Sequence, residues 1–128
     1  MAEERLPYRI WTVQISSWRV AKERGITFLD ITAKSGIAAF APDFGDVMRY
    51  KRGELSEEEY TKIYLERMER SKEVCPRRWA SLNQRYEIAV ACYCKKGVFC
   101  HRHIFVKIYK AFLEAQGCVV IEEGELEK

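Results

Sequence analysis

The sequence predicts an α/β fold: a single small three-layer domain, 1–128, with a largely parallel sheet. Three observations carry this. Short β-rich runs alternate along the chain with segments of helical periodicity. One helix declares its start with a capping box, Ser56-Glu57-Glu58-Glu59, in which the Ser hydroxyl accepts from the Glu59 amide and Glu59 reaches back. The stretch 87–121 reads strand, helix, strand, the pattern of a right-handed crossover between parallel strands.

The first strand is 8–15 (YRIWTVQI), rich in aromatic and β-branched residues, with Trp11, Val13 and Ile15 alternating. Residues 16–24 make a short turn or helix that Gly25 stops. A second strand, 26–31 (ITFLDI), ends near Asp30. Gly36, Pro42 and Gly45 mark 33–46 as loop, with one or two helical turns over 44–50. Tyr60, Ile63, Tyr64 and Met68 then recur at helical spacing, giving a helix over about 57–71. Pro76 suits the first turn of a further helix, about 77–85, with Trp79, Leu82 and Asn83 on one side. The run 87–93 (EIAVACY) is short and mostly apolar, as a central strand buried on both faces requires. A helix over about 101–116 carries Ile104, Phe105, Ile108, Phe112 and Leu113 as its apolar stripe and stops at Gly117. A final strand, 118–121, leads into an acidic tail, 122–128.

Composition narrows the class. Hydrophobic residues are 48% and charged residues 32%, ordinary for a soluble globular chain. No apolar run approaches the ~18–20 residues that span a membrane. The charged start MAEERLPYR lacks the apolar stretch of a signal peptide, so a cytoplasmic protein is expected, with no membrane partner. Five cysteines, an odd number and partly clustered, do not make the spread framework of a secreted disulfide fold. A formal charge of +3 is only mildly basic. Basic residues bunch at Arg49-Tyr50-Lys51-Arg52, Arg77-Arg78 and Lys95-Lys96, so a nucleic-acid partner stays open.

Residues 92–103 read CYCKKGVFCHRH and hold three of the five cysteines and both histidines. They lie where the central strand hands over to a helix, at the carboxyl edge where parallel sheets bind ligands. Cys92 and Cys94 point to one face if the strand continues. Cys100 falls at the helix start, where free N–H groups and the dipole favour a thiolate and Lys95, Lys96 and Arg102 add positive charge. The same donors suit a phosphate.

Four readings stay open. The cysteines fill the strand–helix junction as small hydrophobes. Cys92, Cys94, Cys100 and His101 or His103 bind zinc, although C-x-C-x5-C-H-x-H departs from the usual pair of C-x2-C knuckles. The loop is a reactive-thiol or anion-binding catalytic loop. Cys94 and Cys100 form a disulfide switch. A C-x5-R phosphatase cradle is excluded, since seven residues separate Cys94 from Arg102.

The stretch from Cys92 to His103 resembles the signature of the YeaO-like family (domain of unknown function 488), in its phage and archaeal branch. In that family a Cys closes a strand and, after a short loop, Cys-His-Arg opens a helix, as Cys100-His101-Arg102 does here. Upstream, Phe40-Ala41-Pro42-Asp43-Phe44 is similar to the family's L-A-P-S. The run from Tyr50 to Tyr60 (YKRGELSEEEY) is similar to its Y-K-x-G-x-I-x-x-E-E-Y. The likeness covers roughly 8–122. One departure is Cys94, where the family commonly has Glu; it weakens a carboxylate role there and strengthens the metal reading. The resemblance implies an α/β fold and a site on Cys92, Cys100, His101 and Arg102, without an activity.

Two functions are carried forward. The first is a thiol-dependent enzyme acting on an anionic small molecule, phosphorylated or nucleotide-like. Cys100 is its nucleophile, His101 the acid/base partner, Cys92 a further catalytic sulfur, and Arg102, Lys95, Lys96 and Asp30 the ligand contacts. The second is a non-catalytic module, held by zinc on Cys92, Cys94, Cys100 and His103, that binds nucleic acid or a protein. For Asp30 the plainer role is to cap the loop after its strand. For Arg102 it is to pair with an internal carboxylate such as Asp30 or Glu87. Tyr60, Tyr64 and Trp79 read as core, Trp11 and Trp18 as core or rim, and Cys75 and Cys118 as structural.

Overall fold

Strands β1 (Tyr8–Gln14), β2 (Thr27–Asp30), β3 (Glu87–Cys92) and β4 (Val120–Glu125) form one parallel sheet in the order β2-β3-β1-β4. This computed structural model describes residues 6–33, 36–92 and 101–127. The strand read as central is central: β3 pairs with β1 on one side and β2 on the other, and every residue after Glu87 is buried.

Alternation along β3 divides the core. Ile88 and Val90 join Ile10 and Leu29 in the larger cluster, under α3 (Glu57–Val74), α4 (Pro76–Ser81) and α5 (His101–Glu114). Ala89 and Ala91 face the other way, with Trp11 and Val13, and meet Val20 and Ala21 of α1 (Trp18–Glu23). Helices thus lie on both faces, which makes the three layers. Tyr60, Tyr64, Trp79 and Trp11 are core, and Trp18 is on the rim. Cys75 and Cys118 are free and pack against the larger cluster.

Helix boundaries shift for local reasons. The Ser56 capping box is present, with Ser56 Oγ accepting from the Glu59 amide at 3.0 Å and Glu59 accepting from the Ser56 amide at 2.9 Å. α3 runs past residue 71 to Val74. It stops at Cys75 (φ −123°, ψ 53°), which the following Pro76 disfavours in helical conformation. The helix expected near 77–85 begins with Pro76 in its first turn and divides into α4 and a 3-10 turn, Leu82–Gln84. An eight-residue helix, α2 (Phe44–Lys51), is capped by Asp43 accepting from the Asp46 amide.

The last strand lies later than its sequence suggests. β4 spans Val120–Glu125, so Glu122 to Glu125, read as acidic tail, belong to the sheet. β4 is an edge strand, where charged residues are tolerated and even useful against unwanted pairing. Its register against β1 shifts between Ile10 and Trp11, opposite Gly124, whose φ of 87° only glycine adopts readily.

Candidate functional site

The parallel strands bring their carboxyl ends to one edge, and Gln14 and Cys92 are register partners there. β3 ends on Cys92 and α5 opens on His101, with Arg102 next. The side chain of Arg102 has no exposed surface. One guanidinium nitrogen donates to the Cys92 sulfur at 3.0 Å, and the other lies 3.4 Å from Glu125 Oε1, on a side chain 10% exposed. Thr12 Oγ1 donates to the same Glu125 oxygen at 2.6 Å. A buried cation is costly unless paired and hydrogen-bonded, and β4 supplies its counter-charge. Among the described residues the carboxylate paired with Arg102 is that of Glu125. Glu87 instead approaches Arg9 at the surface, and Asp30 accepts from the Thr32 amide at 2.9 Å.

A guanidinium against a sulfur favours the thiolate over the thiol. In this structure the Cys92 sulfur is disulfide-bonded, so the same donor meets a thiolate only after reduction.

His101 is also buried, and its role follows from one contact. Its Nε2 lies 2.8 Å from the carbonyl oxygen of Ile31. A carbonyl cannot donate, so Nε2 carries the hydrogen and Nδ1 is the ring's acceptor. Burial disfavours the charged imidazolium and brings the His101 pKa down to about 4. The hydrogen bond to Ile31 opposes this, and the charge of Arg102 adds to it. At neutral pH the ring is an uncharged donor packed edge-on against Tyr64, with centroids 5.7 Å apart.

That contact ties α5 to the loop after β2. Ile31 donates to Ala91 of β3 while its carbonyl accepts from His101. The turn that follows closes from Gly36 to Thr32. A Cβ on Gly36 would lie 2.3 Å from the Thr32 nitrogen, so no other residue fits. Residues 39–41 are then held by α3. Tyr64 donates to the Phe40 carbonyl at 2.6 Å, Arg67 to Ala41 at 2.8 Å, and Ser71 to Ala39.

The structure thus brings Cys92 and Arg102 together, with His101 opening the same helix against Ile31 and Tyr64 and Asp30 ending the neighbouring strand. Asp30 Oδ1 accepts from the Thr32 amide at the start of the following loop. His103 sits apart, on the exposed side of α5. There it lines a groove of about 360 Å³ with Lys107, Glu122, Glu125 and Thr12 over a floor of Ile10 and Val106. Of the zinc set, Cys92 and His103 are described. Among the described residues no three His, Cys, Asp or Glu side chains are grouped to hold an ion. Cys94, Lys95, Lys96 and Cys100 lie outside the described residues.

Within the basic run at 49–52, Arg49 lies 4.0 Å from both Asp46 and Glu54, Arg52 pairs with the same Glu54, and Tyr50 packs on Tyr60. The run lies at a solvated helix end, where these ion pairs partly offset its charge. Thr12 and Glu125 are the site residues that sequence reasoning missed. Nothing in the acidic stretch marks Glu125 apart from its neighbours. Among the described residues no helix is long and apolar enough to cross a membrane.

The model of one family, described as the active DUF488-N3 subclade (DUF488-N3a), matches residues 2–114. No curated protein and no solved structure matches the chain. The matched residues include Cys92, His101 and Arg102 and end before β4, so Glu125 lies outside them.

Proposed function

The chain belongs to the DUF488, or YeaO-like, family, and on that premise we propose that it is a thiol-dependent enzyme acting on an anionic ligand, phosphorylated or nucleotide-like, at the carboxyl edge of its sheet. The observation that carries this is the buried Arg102 donating to the Cys92 sulfur at 3.0 Å. A cysteine held against an internal cation is poised to ionise, and a structural cysteine has no need of one. The description of the matching subclade as active supports an enzyme over a binding module.

In this reading Cys92 is the sulfur whose charge the site controls. Arg102 acts on that sulfur, one terminal nitrogen of its guanidinium donating to Cys92 and the other lying beside Glu125. His101 holds the Ile31 carbonyl through Nε2, which sets the loop after β2 against the start of α5. Lys95 and Lys96 are proposed to meet the anionic group, and Cys100 to share the thiol chemistry.

The test is a panel of nucleotides and phosphorylated metabolites screened by thermal shift against reduced protein. A ligand at a hundred times its dissociation constant stabilises by about 2.7 kcal/mol. The proposal expects at least one such ligand, with turnover lost in Cys92→Ser and in oxidised protein. Turnover that persists in Cys92→Ser would refute it.

A further inference from the structure

The six-residue helix α1 gathers cations around an exposed aromatic ring. Trp18 is 43% exposed, and the Arg19 guanidinium and Lys22 ammonium lie 5.4 and 5.7 Å from its ring centroid. Arg24, at the end of the helix, lies 5.5 Å from the ring of Trp11. Among the described residues Arg19, Lys22 and Arg24 make no ion pair. The more conspicuous basic run at 49–52 is, by contrast, partly offset by Asp46 and Glu54. Glu23 is the one acid within 18–24.

Unpaired cations around an open aromatic ring match the two repeating chemistries of a single nucleic-acid strand. The cations meet phosphates, and the ring offers a face on which any base can stack. A lipid surface fits less well. Val20 and Ala21 are buried against the sheet, so α1 keeps no apolar face to insert. A duplex fits less well because its bases are already stacked. The location is also suggestive of use. Trp18 follows the turn Ile15–Ser17 that leaves β1, and the end of β1 is in register with Cys92. We infer that α1 is a docking surface for single-stranded nucleic acid, with Trp18 as stacking platform and Arg19, Lys22 and Arg24 as phosphate contacts.

The probe is a fluorescein-labelled fifteen-nucleotide oligo(dT), with oligo(rU), the matching duplex and phosphatidylserine vesicles in parallel, each titrated from low to moderate salt. Wild type is expected to bind the single strands, with log K falling against log salt at a slope of about −2 for three contacts. The dT and rU arms report which sugar the surface prefers. Trp18→Ala should weaken binding about tenfold at unchanged slope. Arg19→Gln/Lys22→Gln should flatten the slope by about 1.4. All three side chains are on the surface, and equal melting temperatures confirm that the variants fold. The inference is overturned if the oligonucleotides do not bind at low salt or if Trp18→Ala binds like wild type. It is equally overturned if the duplex or the vesicles bind more tightly than the single strands.

Discussion

Arg102 reaches across 3.0 Å to the sulfur of Cys92 from a position with no exposed surface, and joins the start of α5 to the end of β3. Glu125 completes the arrangement from the edge strand, so three separate parts of the chain converge on one buried charge. Neither ion can lose its partner cheaply.

Arg102→Met should therefore cost roughly 3–5 kcal/mol, read from the urea midpoint, because it takes the buried counter-charge from the largely buried Glu125 carboxylate. Arg102→Lys should also be destabilising, since an ammonium cannot span both the sulfur and the carboxylate as a planar fork does. The double variant Arg102→Met/Glu125→Leu should recover much of the loss, because no uncompensated charge remains. Equal destabilisation in the single and double variants would show that the pair is not coupled.

His101 gives the fold a specific pH dependence. Its pKa is about 4 when folded, against about 6.5 for an unfolded histidine. Between those values the unfolded chain binds a proton that the native state refuses. Stability is thus full above about pH 6.5 and falls as the pH drops through 4. The full effect is on the order of 3 kcal/mol. In His101→Gln, which keeps a donor for Ile31, this component should vanish. Urea unfolding of both proteins from pH 7 to 4 checks it, and parallel curves would contradict it.

Tyr64→Phe should remove the hydroxyl that donates to the Phe40 carbonyl and leave that acceptor unsatisfied inside the protein. The expected cost is about 1–3 kcal/mol. Hydrogen exchange should show faster opening of 39–41, the segment that α3 holds, with little change at β3.

Ser56→Ala should cost about 1 kcal/mol by removing one half of the capping box. The change is exposed, so thermal unfolding should report the helix end alone.

These features differ in how far the sequence discloses them. The Ser56 box and the apolar run of β3 are local, and each is written in consecutive residues that physical chemistry reads one way. The partner of Arg102 is not local. Glu125 lies beyond the turn at Gly117, on a strand whose acidic residues satisfy no strand pattern. They form a strand because an edge exposes one side to water and because Gly124 admits the register shift. Arg102 itself looks like a surface cation after Cys-His. Its burial follows from α5 being covered on both flanks, by the sheet and by α3, which only the assembled layers reveal. The sulfur and imidazole of the site were legible as residue types, and their partners were not.

Arg102, donating to the Cys92 sulfur, is expected to favour its thiolate in the reduced protein. Absorbance at 240 nm, titrated against pH for reduced wild type and for Cys92→Ser, isolates this one sulfur without needing a reagent to enter the core. The difference curve should show Cys92 ionising below the free-thiol value of about 8.5. A difference curve with its midpoint at or above that value would contradict the claim and leave Cys92 a packed, unreactive thiol.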